Sequence, residues 1–165
     1  STDELRIENI TVHNDTIGTL IIEGDWDQTY SGLNLAANLI NEGERSLEIK
    51  GYIPTGDESP LPMDVTVLTE DFELYALQPL TVSALSQLSG RVNSNIKITG
   101  KPSEPLTEGW LGIEDGIIKV AYTNVTYYLS DTIQIKSDNV GLENLVIRDQ
   151  NNNTATLNLS LSHTN

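Results

Sequence analysis

The sequence predicts an all-β protein with a long, mainly antiparallel sheet. Aliphatic residues alternate with polar ones along most of the chain, the period-2 pattern of strands that bury one face. Turn-forming residues recur at short, regular intervals, which is typical of a meander of hairpins. Apolar residues fall at helical spacing in one place, around residues 77–88. We therefore expect about a dozen strands and one short helix.

The first half of the chain predicts five strands. Their expected positions are residues 5–12, 16–27, 33–39, 47–53 and 63–67. The segments between them are rich in Asn, Asp, Gly, Ser and Pro, which favour turns for separate conformational reasons. The longest is a polar loop over residues 54–62. Most of these strands place their aliphatic residues on one parity, so one face of the sheet is expected to be buried. In the strand 16–27, Ile17 and Ile21 fall on the other parity, so both faces are expected to be partly covered there.

The helix is predicted from Leu77, Leu80, Ala84, Leu85 and Leu88, which share one side of a helix. Pro at position 79 suits a first helical turn and Gly at position 90 suits a stop. We interpret it as a short amphipathic cap over the open end of the sheet, with a partner-binding or gating helix as the alternative. It divides one domain, residues 1–165, into strand blocks 1–76 and 89–165.

The segment 88–120 carries the clearest strand pattern. Small and aliphatic residues share one parity up to residue 100, and the Lys-Pro-Ser-Glu-Pro run then interrupts the ladder, since proline cannot donate a backbone hydrogen bond. Pairing resumes at Gly109, and Asp115-Gly116 predicts a hairpin turn. Further on, Ser130-Asp131 predicts another turn. In a later strand, around residues 142–147, the aliphatic residues can share one face only if there is a β-bulge near Asn144.

Composition excludes several classes of function. Nine basic and 24 acidic residues give a net charge of −15, which repels phosphate backbones and disfavours docking to anionic membranes. No cysteine is present, which is compatible with the periplasm. The sequence contains no apolar run of about 18 residues, the length that would predict a membrane-spanning helix. Because the chain begins directly in Ser-Thr-Asp-Glu, we expect it to be a fragment whose membrane anchor lies elsewhere.

The residues contain no recognisable catalytic or metal constellation. A thiol nucleophile is impossible without cysteine, and His13 and His163 stand apart in the sequence. The oxygen-rich run from Asp149 lacks the spacing and closing Glu of a calcium loop, so turn chemistry is the better interpretation. We expect no enzyme activity, no metal and no cofactor.

Residues 88–163 carry a family resemblance. The order Leu-x-Gly-x-Val, alternating aliphatics, Gly-x-Pro-x-x-Pro-Leu, x-x-Gly-x-Leu-x-Ile, Asp-Gly, x-Ile-x-Val resembles the C-terminal β-rich region of TamB-like proteins. These are the AsmA-related inner-membrane component of the translocation and assembly module. The Asn-x-x-Tyr strand at 124–127 and the Asn-rich turn followed by Ala-x-Leu-x-Leu at 149–161 fit the same pattern. Leu159 and Leu161 stand where the family often has glycine.

The resemblance implies a strongly curved, U-shaped sheet (a β-taco) whose hydrophobic groove carries lipid acyl chains between inner and outer membranes, supports outer-membrane protein assembly, or both. It implies a periplasmic protein of a Gram-negative bacterium, anchored to the inner membrane outside this fragment. The implied partners are acyl chains, neighbouring repeats of the same protein and an outer-membrane assembly barrel. The groove candidates are Ile96, Ile98, Leu111, Ile113, Val125, Tyr127, Leu157, Leu159 and Leu161.

Two binding functions remain as alternatives. The final strand could pair with an outer-membrane barrel or a client strand by β-augmentation. A carbohydrate-binding β-sandwich would be favoured if Trp26, Trp110 and Tyr30 were exposed on one face. From the residues alone, a sandwich, a closed barrel and an open trough all remain compatible with the alternation.

Overall fold

The computed structural model describes residues 3–12, 14–136 and 139–161, and side chains within this set except those of 139–144, 157 and 159–161. It contains ten strands and two short helical turns. The strands are β1 Asp3–Val12, β2 Asp15–Asp27, β3 Gly32–Asn41, β4 Glu44–Pro54, β5 Met63–Glu73, β6 Leu85–Lys101, β7 Glu104–Val120, β8 Thr126–Lys136, β9 Asn139–Asp149 and β10 Thr154–Leu161. A 3-10 turn, Leu74–Leu77, and α1, Gln78–Thr81, lie between β5 and β6.

All ten strands form one antiparallel sheet in strict chain order, from β1 at one edge to β10 at the other. The sheet is open, since β1 and β10 do not pair with each other. The predicted all-β class and the curved, taco-like architecture are thereby confirmed. The sheet is continuous across the expected subdivision, because β5 pairs directly with β6 from Met63↔Gly100 to Glu73↔Arg91.

Consecutive hairpins place the turns of the sheet along two opposite rims. One rim, here called the cap seam, carries the helical turns 74–81 and the connections after β1, β3, β7 and β9. The other, the loop seam, carries the connections after β2, β4, β6 and β8. Each strand therefore crosses the sheet from one seam to the other, and a groove along the sheet would run across the strands.

Two predicted hairpin turns are wrong. Asp115-Gly116 lies inside the single long strand β7, where the register with β8 jumps between Ile113 and Gly116. Asp115 has φ = 50° and its backbone N–H donates to Ser130 Oγ at 2.9 Å. The Asp-Gly pair thus forms a β-bulge rather than a turn. Ser130-Asp131 likewise lies inside β8. These two misread turns explain why ten strands are observed where about a dozen were predicted.

The predicted helix exists but is shorter and earlier than residues 77–88. The α-helical turn ends at Thr81, and Leu85 and Leu88 belong to β6. Leu88 is buried and lies opposite Ile118 of β7. Pairing with β7 therefore overrides the helical spacing of these leucines, because tertiary contacts outweigh a weak local propensity.

Two further predictions concern the break between β6 and β7 and the bulge in β9. The expected break over residues 101–105 is only a two-residue turn, since Lys101 pairs with Glu104 and Pro105 lies inside β7 opposite Gly100. Among the described residues, pairing of β7 with β8 begins only at Gly109, so no described strand pairs with β7 at Pro105 on that side. The bulge expected near Asn144 is confirmed, because the β9–β10 register shifts between Leu157 and Leu159.

Candidate functional site

The strand register divides the sheet into an apolar face and a polar face. Residues directly opposite each other in neighbouring strands point to the same side. One row therefore runs across the apolar side, here called the inner face: Ile7, Leu20, Leu39, Leu47, Thr69, Ser94, Leu111 and Ile133. The next row along is Leu5, Ile22, Ala37, Ile49, Val67, Ile96, Gly109 and Ile135. Aliphatic residues thus line the inner face from β1 to β8.

No second layer covers this face within the described residues. The most buried apolar side chains keep 6–9% exposure, and none of the described large side chains falls below 2%. They are Val12, Ala37, Leu39, Val65, Phe72, Leu88, Val92, Leu129 and Leu145. Most other inner-face residues are half-buried. A closed sandwich would enclose such residues fully, so this lining is a concave surface and not a sealed core.

Ser94 is the single buried polar residue among those described, at 5% exposure. It lies on the inner face between Thr69 and Leu111. The Thr69 hydroxyl donates to Ser94 Oγ at 2.9 Å. Because each hydroxyl has the other as a partner, this polar pair sits in an aliphatic lining without an unsatisfied group.

The opposite, outer face carries the charged residues. Arg91 lies opposite Glu114 and within 3.4 Å of its carboxylate. Glu48 contacts Arg45 at 2.6 Å, and Lys97 contacts Asp64 at 3.3 Å. Exposed pairs of this kind contribute little stability each. They keep the outer face hydrated, so the sheet has one apolar face and one polar face from edge to edge.

Four of the predicted groove residues come together on the inner face. Ile96 and Ile98 of β6 share that face, and Leu111 and Ile113 of β7 lie beside them. All four are half-buried. Ile113 continues the lining to buried Val92, its partner in β6. That these residues contact lipid stays a prediction, but their common surface is present.

Of the other predicted groove residues, one more shares the inner face and four lie at the cap seam or in the edge strand. Tyr127 is half-buried in β8 opposite Ile118, on the side of buried Leu129. Val125 precedes β8 and belongs to the cap seam, where its carbonyl accepts from Val120 N–H at 3.0 Å. Leu157, Leu159 and Leu161 lie in the edge strand β10, but their side chains fall outside the described residues.

The prediction omitted the lining contributed by the first half of the sheet. Leu20, Leu39, Leu47, Val65 and Val67 occupy the same inner-face rows as Ile96, Ile98 and Leu111. Their alternation in the sequence already placed them on one parity. This alternation was sufficient to predict them as groove residues, but the family resemblance, on which the predicted set was based, begins only at residue 88.

Two glycines on the inner face permit close backbone approach between strands. Gly51 has φ = 151° and Gly109 has φ = 140°. A Cβ at Gly51 would meet the Asp64 carbonyl oxygen, and one at Gly109 would meet that of Asn95, each at 2.0 Å. Only glycine fits either position, and such positions allow a strand to bend sharply. They contribute to the curvature of β4 and β7.

At the cap seam the helical turns lie over one end of the inner face. A small cavity of about 50 Å³ lies there, between the turns and the sheet, and is lined by Ile17, Leu39, Phe72, Tyr75 and Ala76 among others. Burial raises the pKa of the Tyr75 phenol, and the nearby carboxylates of Asp15 and Glu73 raise it further. The helical turns thus pack against this end of the sheet around a small, partly open cavity.

The loop seam is held by hydrogen bonds instead. Tyr52 Oη donates to Tyr30 O at 2.7 Å and Thr55 Oγ1 donates to Ser31 O at 2.7 Å. Asp57 accepts from Ser103 N–H at 3.1 Å, which joins the 54–62 loop to the β6–β7 turn. Hydrogen bonds from Ser103 lower the pKa of the Asp57 carboxyl, and Lys101 adds a smaller effect in the same direction.

The exposed aromatics do not form a sugar platform. Trp26, Trp110 and Tyr30 are 51%, 38% and 38% exposed. Trp26 lies opposite Leu33 on the inner face, whereas Trp110 lies opposite Asn95 on the outer face. The condition that would favour a carbohydrate-binding sandwich is therefore not met, and the single open sheet is not a sandwich.

The Asp149 run forms a turn, in agreement with its interpretation from sequence. The Asp149 carboxylate accepts from the backbone N–H groups of Asn151 and Asn153 and from the Asn153 side-chain amide, at 2.8–2.9 Å. These bonds lower the pKa of Asp149. In the described part of the chain no group of three or more His, Cys, Asp or Glu could hold a metal ion. His13 and His163 lie outside the described residues.

Comparison with known proteins decides the family. The family model for the TamB C-terminal domain matches residues 35–165, from within β3 through β10. The chain belongs to the TamB family. It is therefore a TamB-like cell-envelope protein. No curated protein and no solved structure matches it. Among the described residues no helix has the length and apolar character needed to cross a bilayer.

Proposed function

We propose that the inner face of this TamB-family sheet is a groove that carries lipid acyl chains between the inner and outer membranes. One observation carries the proposal: an aliphatic face extends across eight neighbouring strands, and no described large side chain in it is fully enclosed. A surface of this kind needs an apolar occupant. Transfer of acyl carbons from water to the lining is worth about 0.8 kcal/mol for each buried CH₂.

The mechanism is passive and needs no enzyme chemistry, metal or cofactor. Acyl chains replace water along the Leu, Ile and Val lining, while headgroups stay hydrated at the seams. The polar outer face, with pairs such as Arg91–Glu114, keeps the body of the protein in water. Its net charge of −15 opposes non-specific adsorption to anionic surfaces.

The length of the sheet implies neighbouring segments. Ten strands leave nine intervals of about 4.8 Å, which gives a groove of roughly 43 Å. At the β1 edge the inner-face residues Leu5 and Ile7 are 55% and 43% exposed. A further strand paired with β1 would cover them and extend the same lining. We infer that repeats of the same protein continue the groove, with an inner-membrane anchor beyond this segment and a periplasmic location for it.

Photo-crosslinking in cells tests the groove. A photoreactive residue at Ile98 or Leu111 should give lipid adducts, because both lie on the inner face of central strands. Asn95 and Trp110 are matched controls, since they lie opposite each other on the outer face of the same two strands. Equal adducts at inner and outer positions, or inner positions that label only solvent or protein, would refute the proposal.

A second candidate function rests on the position of β10. This strand forms the end of the sheet and pairs only with β9 among the described residues. Its outer edge can accept a strand of an outer-membrane barrel or a client protein by β-augmentation. Asn158→Pro should weaken such pairing while lipid adducts at Ile98 persist. Partner capture that is unchanged by Asn158→Pro would exclude this edge.

A further inference from the structure

Four exposed apolar side chains project from the cap seam. Tyr122 is 98% exposed, Leu80 82%, Val82 64% and Leu77 38%. We call these four residues the apolar tip. They come from two neighbouring turns that meet, because Ala121 N–H donates to the carbonyl of Ala84 at 2.9 Å.

The two segments that carry the apolar tip contain no charged residue. Residues 74–90 contain no Asp, Glu, Lys or Arg, and neither do residues 120–130. This is unusual in a chain with 24 acidic residues. The loop seam on the other side of the sheet carries Asp27, Asp57, Glu58 and Glu104. The cap seam also carries acidic residues in its other connections, such as Glu42 and Asp149, so the uncharged stretch is local to the two turns that form the apolar tip.

We propose that the apolar tip inserts into the interfacial region of a lipid bilayer and so docks the cap seam on a membrane. Leu and Val side chains partition into the boundary of the acyl region, and tyrosine favours the level of the headgroups. The absence of charge removes the cost of bringing carboxylates into that region. This docking role goes beyond carriage in the groove and does not depend on it.

A protein partner fits the tip less well. A stable protein–protein interface uses about 20–30 residues a side, whereas the tip offers four projecting side chains. At its base Glu70, Asp71 and Glu73 are exposed. A second copy docked on the same surface would bring like charges together, which is unfavourable. A neutral bilayer has no such conflict.

The absence of cysteine allows the insertion to be measured directly. Ser83→Cys and Thr123→Cys place nitroxide probes beside the tip without altering it, since both side chains are exposed. Thr29→Cys places a matched probe on the loop seam. With neutral phosphatidylcholine vesicles, the probes at 83 and 123 should become shielded from aqueous relaxants and accessible to oxygen. The probe at 29 should remain aqueous.

Charge substitution tests whether the tip causes binding. The double variant Leu80→Asp with Val82→Asp should lower the vesicle-bound fraction by about tenfold or more, since both side chains would leave the bilayer. Leu61→Asp is the matched control, because Leu61 is an exposed leucine (39%) in the loop-seam connection. Raising the fraction of anionic phosphatidylglycerol should weaken binding of the parent chain, given its net charge of −15.

Several outcomes would overturn the proposal. These are absence of vesicle binding, equal aqueous accessibility at 29 and 83, or binding that the double Asp variant leaves unchanged. Self-association that the double variant abolishes, without vesicle binding, would assign the tip to a second copy of the chain. None of these results affects the lipid adducts expected at Ile98 and Leu111, so the two proposals fail separately.

Discussion

The hydroxyls of Thr69 and Ser94 form a 2.9 Å hydrogen bond across β5 and β6, in the middle of the aliphatic inner face. Leu47 lies next to Thr69 and Leu111 next to Ser94 in the same row. A polar pair in this position is tolerated only because the two groups satisfy each other. The free energy of this hydrogen bond can therefore be measured separately from the packing of the surrounding aliphatic residues.

We expect Ser94→Ala to destabilise the chain by about 1–3 kcal/mol, because the half-buried Thr69 hydroxyl loses its partner. The double variant Thr69→Val with Ser94→Ala should recover much of this loss, since no unpaired hydroxyl remains. Urea unfolding of the parent, the two single variants and the double variant gives the coupling free energy. Simple additivity of the two single effects would show that the hydrogen bond carries no coupling.

Gly109→Ala should destabilise the sheet by at least about 2 kcal/mol. At φ = 140° the new Cβ is strained, and it would lie 2.0 Å from the Asn95 carbonyl oxygen. Relief requires that β6 and β7 separate at the centre of the inner face. The midpoint of urea unfolding measures the loss.

Gly56→Ala is the matched control for that substitution. Gly56 lies in the loop-seam connection, and a Cβ there would meet nothing within 4 Å. Its effect should stay within about 0.5 kcal/mol. Equal effects of the two variants would contradict the assigned backbone geometry of β7.

Which residues face the groove could be predicted from sequence, because the side-chain period of a strand is two. Once Ile96 and Ile98 are placed inside, pairing carries the same face to Val65 and Val67. The parity holds through regular strands and changes only at bulges. The bulge near Asn144 was predictable, since the leucines and isoleucine around it could not otherwise share one face.

Where strands end could not be predicted as well. Asp115-Gly116 has the local preference of a tight turn, and a bulge inside a strand requires the same positive φ. Only the partner strand β8, which continues past that point, distinguishes the two. Leu85 and Leu88 are three residues apart, a spacing that fits a helix better than a regular strand, and pairing with β7 nevertheless places both in β6. Openness of the sheet is also a long-range property, which no local pattern records.

The Asp57–Ser103 contact predicts an acid-sensitive component of stability at the loop seam. The lowered pKa of Asp57 means that the native chain holds this proton less tightly than the unfolded chain. The contribution is present above the ordinary aspartate pKa of about 3.9 and is lost as pH falls through the lowered value. A pH titration of the Asp57 carboxyl by NMR should show the lowered pKa in the parent.

Ser103→Ala provides the comparison for Asp57, since it removes the hydroxyl but keeps the backbone N–H. The pKa of Asp57 should then rise part of the way toward its ordinary value, because the side-chain hydrogen bond is the largest cause of the shift. An Asp57 pKa that does not respond to Ser103→Ala would show that the hydroxyl does not hold the loop.

At the cap seam, the raised pKa of Tyr75 predicts a loss of stability at alkaline pH, opposite to the acid dependence through Asp57. Its raised pKa means that the native chain holds the phenolic proton more tightly than the unfolded chain. This stability is fully present below the ordinary tyrosine pKa of about 10 and is lost as pH rises through the raised value. Tyr75→Phe cannot ionise and should flatten the alkaline fall in unfolding free energy, measured in urea from about pH 9 upward.

Tyr122→Phe is the control, because it changes a ring that is 98% exposed and should leave the alkaline fall as in the parent. If Tyr75→Phe kept the full alkaline fall, the partial burial of Tyr75 in the 3-10 turn would not be its source.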